Sequence, residues 1–87
     1  MADRIERDEL VRQVTERVGR DAAMVGEIVD ATFEEIYETL KRGQGVTVRN
    51  FGNFYIREER GSWVFRFNPS QRLRALFGWS STYRGPR

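Results

Sequence analysis

The 87 residues allow one domain at most, with a small core. There is no Cys and no His. That excludes disulfides and Cys-based metal sites, and it removes the commonest thiol nucleophile and acid/base side chain. Net charge is only +2, but residues 1–40 carry five Arg against eleven Asp and Glu, while residues 41–87 carry ten Lys and Arg against two Glu. The halves therefore stand at −6 and +8. A basic half of this kind fits a phosphate-binding surface, and a solvated charged face is the alternative.

The first element in chain order is an amphipathic helix. Leu10, Val14 and Val18 recur every four residues with Val11 beside them, while Arg12, Gln13, Glu16 and Arg17 fall on the other side. Acids at Asp3, Glu6, Asp8 and Glu9 favour its N-terminus, and Gly19 stops it. Asp21 caps a second, longer helix with apolar positions Val25, Ile28, Val29, Phe33, Ile36, Tyr37 and Leu40. This face is wide for one partner and suggests burial against both the first helix and another subunit. Lys41 and Arg42 complement the helix C-terminus, and Gly43 ends it.

Residues 46–67 alternate as strands. Val46 and Val48 share a face with Asn50, opposite Thr47 and Arg49. Gly52 marks a bend or bulge between strand segments. Phe54 and Ile56 point one way, Tyr55 and Arg57 the other. Arg60-Gly61-Ser62 supplies a turn, and Trp63, Phe65 and Phe67 then alternate with Val64 and Arg66. The pattern predicts a three-stranded antiparallel meander with a short second hairpin. Asn68-Pro69 reads as a cap followed by Pro at the first helical position. The last helix turns Leu73, Leu76 and Phe77 inward and Gln71, Arg72 and Arg74 outward, and Gly78 closes it. Residues 1–79 make the domain, and residues 80–87 a flexible polar tail.

No P-loop or dinucleotide-type glycine loop appears, the carboxylates lie on helical outer faces, and no Ser or Thr has a base at a recognisable spacing. No enzyme activity, cofactor or metal is expected. No apolar run approaches membrane-spanning length. Met1-Ala2-Asp3-Arg4 lacks the layout of a secretory signal, so a cytoplasmic protein is expected.

Three stretches together resemble the HU/IHF family of bacterial nucleoid-associated proteins: Leu40-Lys41-Arg42-Gly43 with Val46-Thr47, Phe51-Gly52-Asn53-Phe54, and Phe67-Asn68-Pro69. The resemblance runs from about Asp8 to Phe77. It implies an α+β fold with two N-terminal helices, a saddle-forming three-stranded sheet, a C-terminal helix and an intertwined homodimer. It also implies largely sequence-nonspecific DNA binding and a place in the nucleoid. The matching phosphate-contacting positions are Arg57, Gln71, Arg72 and Arg74, with Gln71 where the family usually has Lys. Arg60 and Arg66 join them by location, and a solvated surface charge is the alternative for each Arg. Phe51, Phe54 and Phe67 match family core positions.

One departure is sharp. Family members carry a long basic β-arm between the Phe-Gly-x-Phe strand and the last helix, with an apolar wedge at its tip. Here six residues, Glu58 to Trp63, separate Arg57 from Val64, and two of them are acidic. Phosphate contact through the body, without wrapping or sharp bending, is the resulting expectation. The aromatics Trp63, Tyr55 and Phe65 surround the short hairpin, either as dimer core or as a rib that stacks on bases or meets a protein. The second reading is therefore a protein-interaction module on the same scaffold, presenting Trp63, Phe65 and Trp79. A heterodimer with a full-armed paralogue is the third.

Overall fold

The structure is a computed structural model that describes residues 3–77. Gly78, Trp79 and the segment 80–87 lie outside the described residues. The elements run α1 (Arg7–Val18), α2 (Ala22–Lys41), β1 (Val46–Val48), β2 (Gly52–Glu59), β3 (Ser62–Pro69) and α3 (Gln71–Leu76). They fall into two compact units that divide between Tyr37 and Glu38.

In the first unit, α1 ends where Gly19 takes a left-handed conformation and its N–H bonds back to the Thr15 carbonyl. Asp21 caps α2: its Oδ2 accepts from the Met24 N–H at 3.0 Å. Arg7 links the helices. Its guanidinium donates to both carboxylate oxygens of Asp30, at 3.0 and 2.8 Å. Val11 and Val25 are the buried apolar side chains here. Met24, Ile28, Phe33 and Tyr37, on the wide apolar face of α2, are exposed in the single chain.

The second unit is built on an antiparallel sheet of order β1-β2-β3. Val46 pairs with Phe54 and Val48 with Gly52, while β2 pairs with β3 from Gly52↔Pro69 to Glu59↔Ser62. Two turns set this register. In the first, the Phe51 N–H bonds to the Val48 carbonyl, and Asn50 has φ 65°, the left-handed value that the third residue of a type II turn requires. Asn50 is therefore a turn residue and not part of the β1 face. In the second, Arg60 and Gly61 have φ 55° and 80°, as a two-residue type I′ hairpin demands.

Gly52 differs from the expected bulge. It holds a regular ladder position, and a Cβ built on it would lie 2.7 Å from the Phe67 ring and 2.6 Å from the Asn68 carbonyl oxygen. The rings of Phe51, Phe54 and Phe67 gather over this gap, with centroids 4.9 Å apart for Phe54–Phe67 and 5.6 Å for Phe51–Phe67. The Phe-Gly-x-Phe motif is thus an aromatic cluster closed over a residue that has no side chain to obstruct it.

The start of α3 also differs. Asn68 and Pro69 belong to β3, and Ser70 is the cap, its Oγ accepting from the Leu73 N–H. The Ser70 N–H in turn bonds to the Phe51 carbonyl at 2.8 Å, tying the helix start to the first turn. Pro69 can end β3 because β3 is an edge strand and one side of its backbone needs no donor.

Candidate nucleic-acid interface

Side chains of directly paired residues share a face, so the register sorts β2 and β3 into two surfaces. One carries Phe54, Ile56 and Glu58 with Phe67, Phe65 and Trp63. The other carries Asn53, Tyr55, Arg57 and Glu59 with Asn68, Arg66, Val64 and Ser62. The phenylalanines and Trp63 are segregated to the first surface and the guanidinium groups to the second, which also carries Tyr55.

Arg57 and Arg66 meet on the second surface at one carboxylate. Glu59 Oε2 accepts from Arg66 Nη2 at 2.7 Å and lies 3.1 Å from Arg57 Nε. The Arg66 hydrogen bond, then the charges of Arg66, Arg57 and Arg60, hold the Glu59 carboxyl below the usual carboxylate range. Arg60 lies in the turn at the end of this face, held there by a backbone conformation rare for a residue with a side chain.

Arg74 joins the face from α3. Its Nη2 donates to Asn68 Oδ1 at 2.9 Å, and Asn68 follows Arg66 on the same surface. Arg74 is half-buried, in contrast to the outward orientation expected of it, because the helix start lies against the end of β3. Gln71 and Arg72 are exposed on the first turn of α3. Leu76 and Phe77, expected to face inward, are 70% and 63% exposed in the single chain. The structure thus brings Arg57, Arg66 and Arg74 to one surface, places Arg60 at its tip, and leaves Gln71 and Arg72 on the helix. The sequence reading missed Glu59 and Asn68. The period of 2 that put Arg57 on this face also puts Glu59 there, and the same count along β3 leads from Arg66 to Asn68.

The aromatic surface has a different character. Trp63 is 68% exposed and lies at the rim of a shallow cavity lined by Leu40, Lys41, Arg42, Gly43 and Ile56. Phe65 stacks on Phe54 with centroids 6.2 Å apart. Among the described residues no cluster of His, Cys, Asp or Glu is arranged to hold a metal, and no helix is long and apolar enough to cross a membrane.

The sequence profile of the bacterial DNA-binding protein family matches residues 5–69, three quarters of the chain. The chain belongs to that family, the HU/IHF proteins. Among curated relatives, the integration host factor subunit alpha of Anaeromyxobacter sp. is 38% identical over 52 residues, covering 60% of this chain and 52% of the relative. The corresponding subunit of Bordetella avium is 45% identical over 51 residues, covering 59% of this chain and 44% of the relative. The matched part is about half the length of these relatives. Among solved structures, HU from Thermotoga maritima superposes with a TM-score of 0.72 at 28% identity, covering 83% of this chain and 97% of that one. The Anabaena HU of an HU–DNA cocrystal structure gives 0.73 at 24% identity, covering 83% and 96%. The family's α+β architecture, two helices before a three-stranded antiparallel sheet and one helix after it, is the architecture found here.

Proposed function

We propose that this chain is a non-enzymatic, largely sequence-nonspecific DNA-binding protein of the nucleoid. It acts as a homodimer and contacts backbone phosphates through the Arg-bearing surface of β2 and β3 and the exposed start of α3. The observation that carries this reading is the sorting of the two strands: Arg57 and Arg66, joined by Arg74 from α3, share one surface with Tyr55, while Phe54, Phe65, Phe67 and Trp63 occupy the other. Family membership supports the same reading, and the Anabaena HU neighbour was crystallised with DNA. Guanidinium forks suit phosphate oxygens and, at phosphates, carry no base information.

The second hairpin closes through Arg60 and Gly61 directly after Glu59. From the Phe54↔Phe67 pair to that turn is five residues, about 17 Å of strand. Its tip carries no apolar side chain that could enter a base step, which is how minor-groove wedges kink a duplex. Contact therefore falls to the body, and the duplex stays close to straight. The apolar surfaces left open in the single chain support the dimer.

Fluorescence anisotropy with a duplex of about 25 base pairs, at several salt concentrations, tests the reading, with end-labelled energy transfer reporting the bend. Binding should weaken steeply with salt, by a slope of about 0.9 per phosphate neutralised. It should be similar across sequences and leave the end-to-end distance nearly unchanged. No binding at low salt, or salt-resistant binding to sharply bent DNA, overturns it. The exposure of Trp63 beside its cavity favours one alternative, a protein-docking module. In that case Trp63→Ala abolishes association with a partner and leaves retention on heparin unchanged.

A further inference from the structure

The Arg-bearing surface contains its own anion. Glu59 is opposite Ser62 and Arg66 opposite Tyr55, so their backbones are separated by four residue steps along the hairpin. That is about 13 Å of strand. Their side chains nevertheless meet at 2.7 Å. To do so, both must lie along the sheet surface. Arg57, between them on the same face, leans to the same oxygen at 3.1 Å. The carboxylate is the more covered member of the group: its side chain is 30% exposed, against 47% for Arg66 and 60% for Arg57.

We propose that Glu59 is a built-in competitor for DNA phosphate. It holds the Arg57 and Arg66 guanidinium groups until a phosphate takes its place. The proposal rests on the phosphate-binding reading above and adds the residue that sets its strength. A carboxylate and a phosphate oxygen offer a guanidinium the same acceptor geometry. Exposed ion pairs are held weakly enough to exchange. A single weak anion gains little by displacing Glu59, because it replaces one carboxylate with another acceptor. A duplex presents many phosphates in a row, and contacts at Arg72 and Arg74 offset the displacement. The competitor thus filters for dense phosphate arrays.

The neighbouring acid provides the control. Glu58 has the same charge but pairs with Trp63 on the aromatic surface. Glu59→Gln and Glu58→Gln therefore change net charge equally and differ only in the face they change. Each purified variant is titrated into a labelled duplex of about 25 base pairs at four salt concentrations, after circular dichroism confirms an unchanged fold. Glu59→Gln should bind about two- to fivefold tighter at low salt, the range expected for one exposed charge contact. Its plot of log K against log salt should keep nearly the wild-type slope, because Arg57 and Arg66 reach the same phosphates once Glu59 is displaced. Glu58→Gln should change the affinity by less than half as much. Equal effects from the two variants would show a general charge effect and overturn the proposal. So would an unchanged or weaker Glu59→Gln alongside a wild-type chain that binds. If wild type fails to bind and Glu59→Gln binds, the phosphate-binding reading fails for the natural chain while competition by Glu59 for its Arg surface is upheld. If neither binds at low salt, the phosphate-binding reading has itself failed and the competitor falls with it.

Discussion

Gly52→Ala is the most informative perturbation of the scaffold. Gly52 is not in the left-handed region, so an alanine there meets no backbone strain of its own. The whole cost is steric. The new methyl would lie 2.6 Å from the Asn68 carbonyl oxygen and 2.7 and 2.8 Å from two atoms of the Phe67 ring. Neither neighbour can withdraw easily. Asn68 is in the β2–β3 ladder, and Phe67 is flanked by Phe51 and Phe54. Inserting a methyl group into a packed site costs about 1–3 kcal/mol, here at the upper end. Against this, alanine narrows the unfolded ensemble and returns about 0.4–1 kcal/mol. The net loss is about 2 kcal/mol, or a Tm lower by roughly 8–16 °C for a domain of this size. Gly61→Ala is the reference variant. It has φ 80° and nothing within 4 Å of the added methyl, so its cost is backbone strain alone, about 1–2 kcal/mol, less the same unfolded-state return. Melting must be compared at equal chain concentration, because the stability of an oligomer depends on it. A Gly52→Ala protein that melts within about 2 °C of wild type refutes the account of the Phe-Gly-x-Phe motif given above. So does one that is clearly more stable than Gly61→Ala.

Acid sensitivity should trace to the first helix. Glu9 is held at about 2, against an ordinary 4.5, by hydrogen bonds from Arg12 and Gln13 and by the Arg12 charge. A depressed carboxyl stabilises the fold fully above its unfolded value and loses that contribution as pH falls through the folded one. Wild type should therefore lose Tm between about pH 4.5 and 2 more steeply than Arg12→Gln; parallel curves would count against the Glu9 ion pair. On α3, Arg72→Ala should leave Tm unchanged while making the salt slope shallower, about 0.9 per lost contact. Arg74→Ala should also cost about 1 kcal/mol of stability, the scale of one hydrogen bond, since Arg74 is half-buried and bonded to Asn68. Equal melting of the two variants would contradict that assignment.

Local chemistry made much of this fold legible. Gly19 ends α1 in the left-handed conformation that glycine favours, and Asp21 caps α2 with its own carboxylate. Both are decided within four residues. The hairpin was legible because alternation and an Arg-Gly turn agree on one register. The sequence was misleading where two local solutions compete and a distant partner decides. Asn68-Pro69 and Ser70 are both competent helix starts, and pairing with Gly52 and Asn53 keeps the first two in β3. Gly52 looks like a bend until the Phe67 ring is placed over it from the next strand. Arg74 points outward on a helix taken alone and is drawn in by a residue of the preceding strand. Glu59 is only one of two adjacent acids in the sequence, and its place as the shared partner of two Arg needed the pairing of both strands.

The two surfaces of the hairpin are linked by thermodynamics. Among the described residues, Val11 and Val25 are the buried apolar side chains, while Phe33, Tyr37, Phe51, Phe65 and Trp63 are exposed. Ordering the backbone costs about 1–2 kcal/mol per residue, and each large apolar side chain returns about 1.5–3 kcal/mol only when it is buried. A chain with so little burial needs its apolar surfaces covered, and a second copy covers them by symmetry. In the proposed homodimer every Arg then occurs twice, so the basic surface reaches full strength only when the aromatic surface is closed. Damage to the two surfaces should consequently look different in one titration. A truncated Phe65 would weaken DNA binding at low chain concentration and be rescued at high concentration. A truncated Arg57 would weaken it at every concentration, because assembly cannot replace a missing phosphate contact.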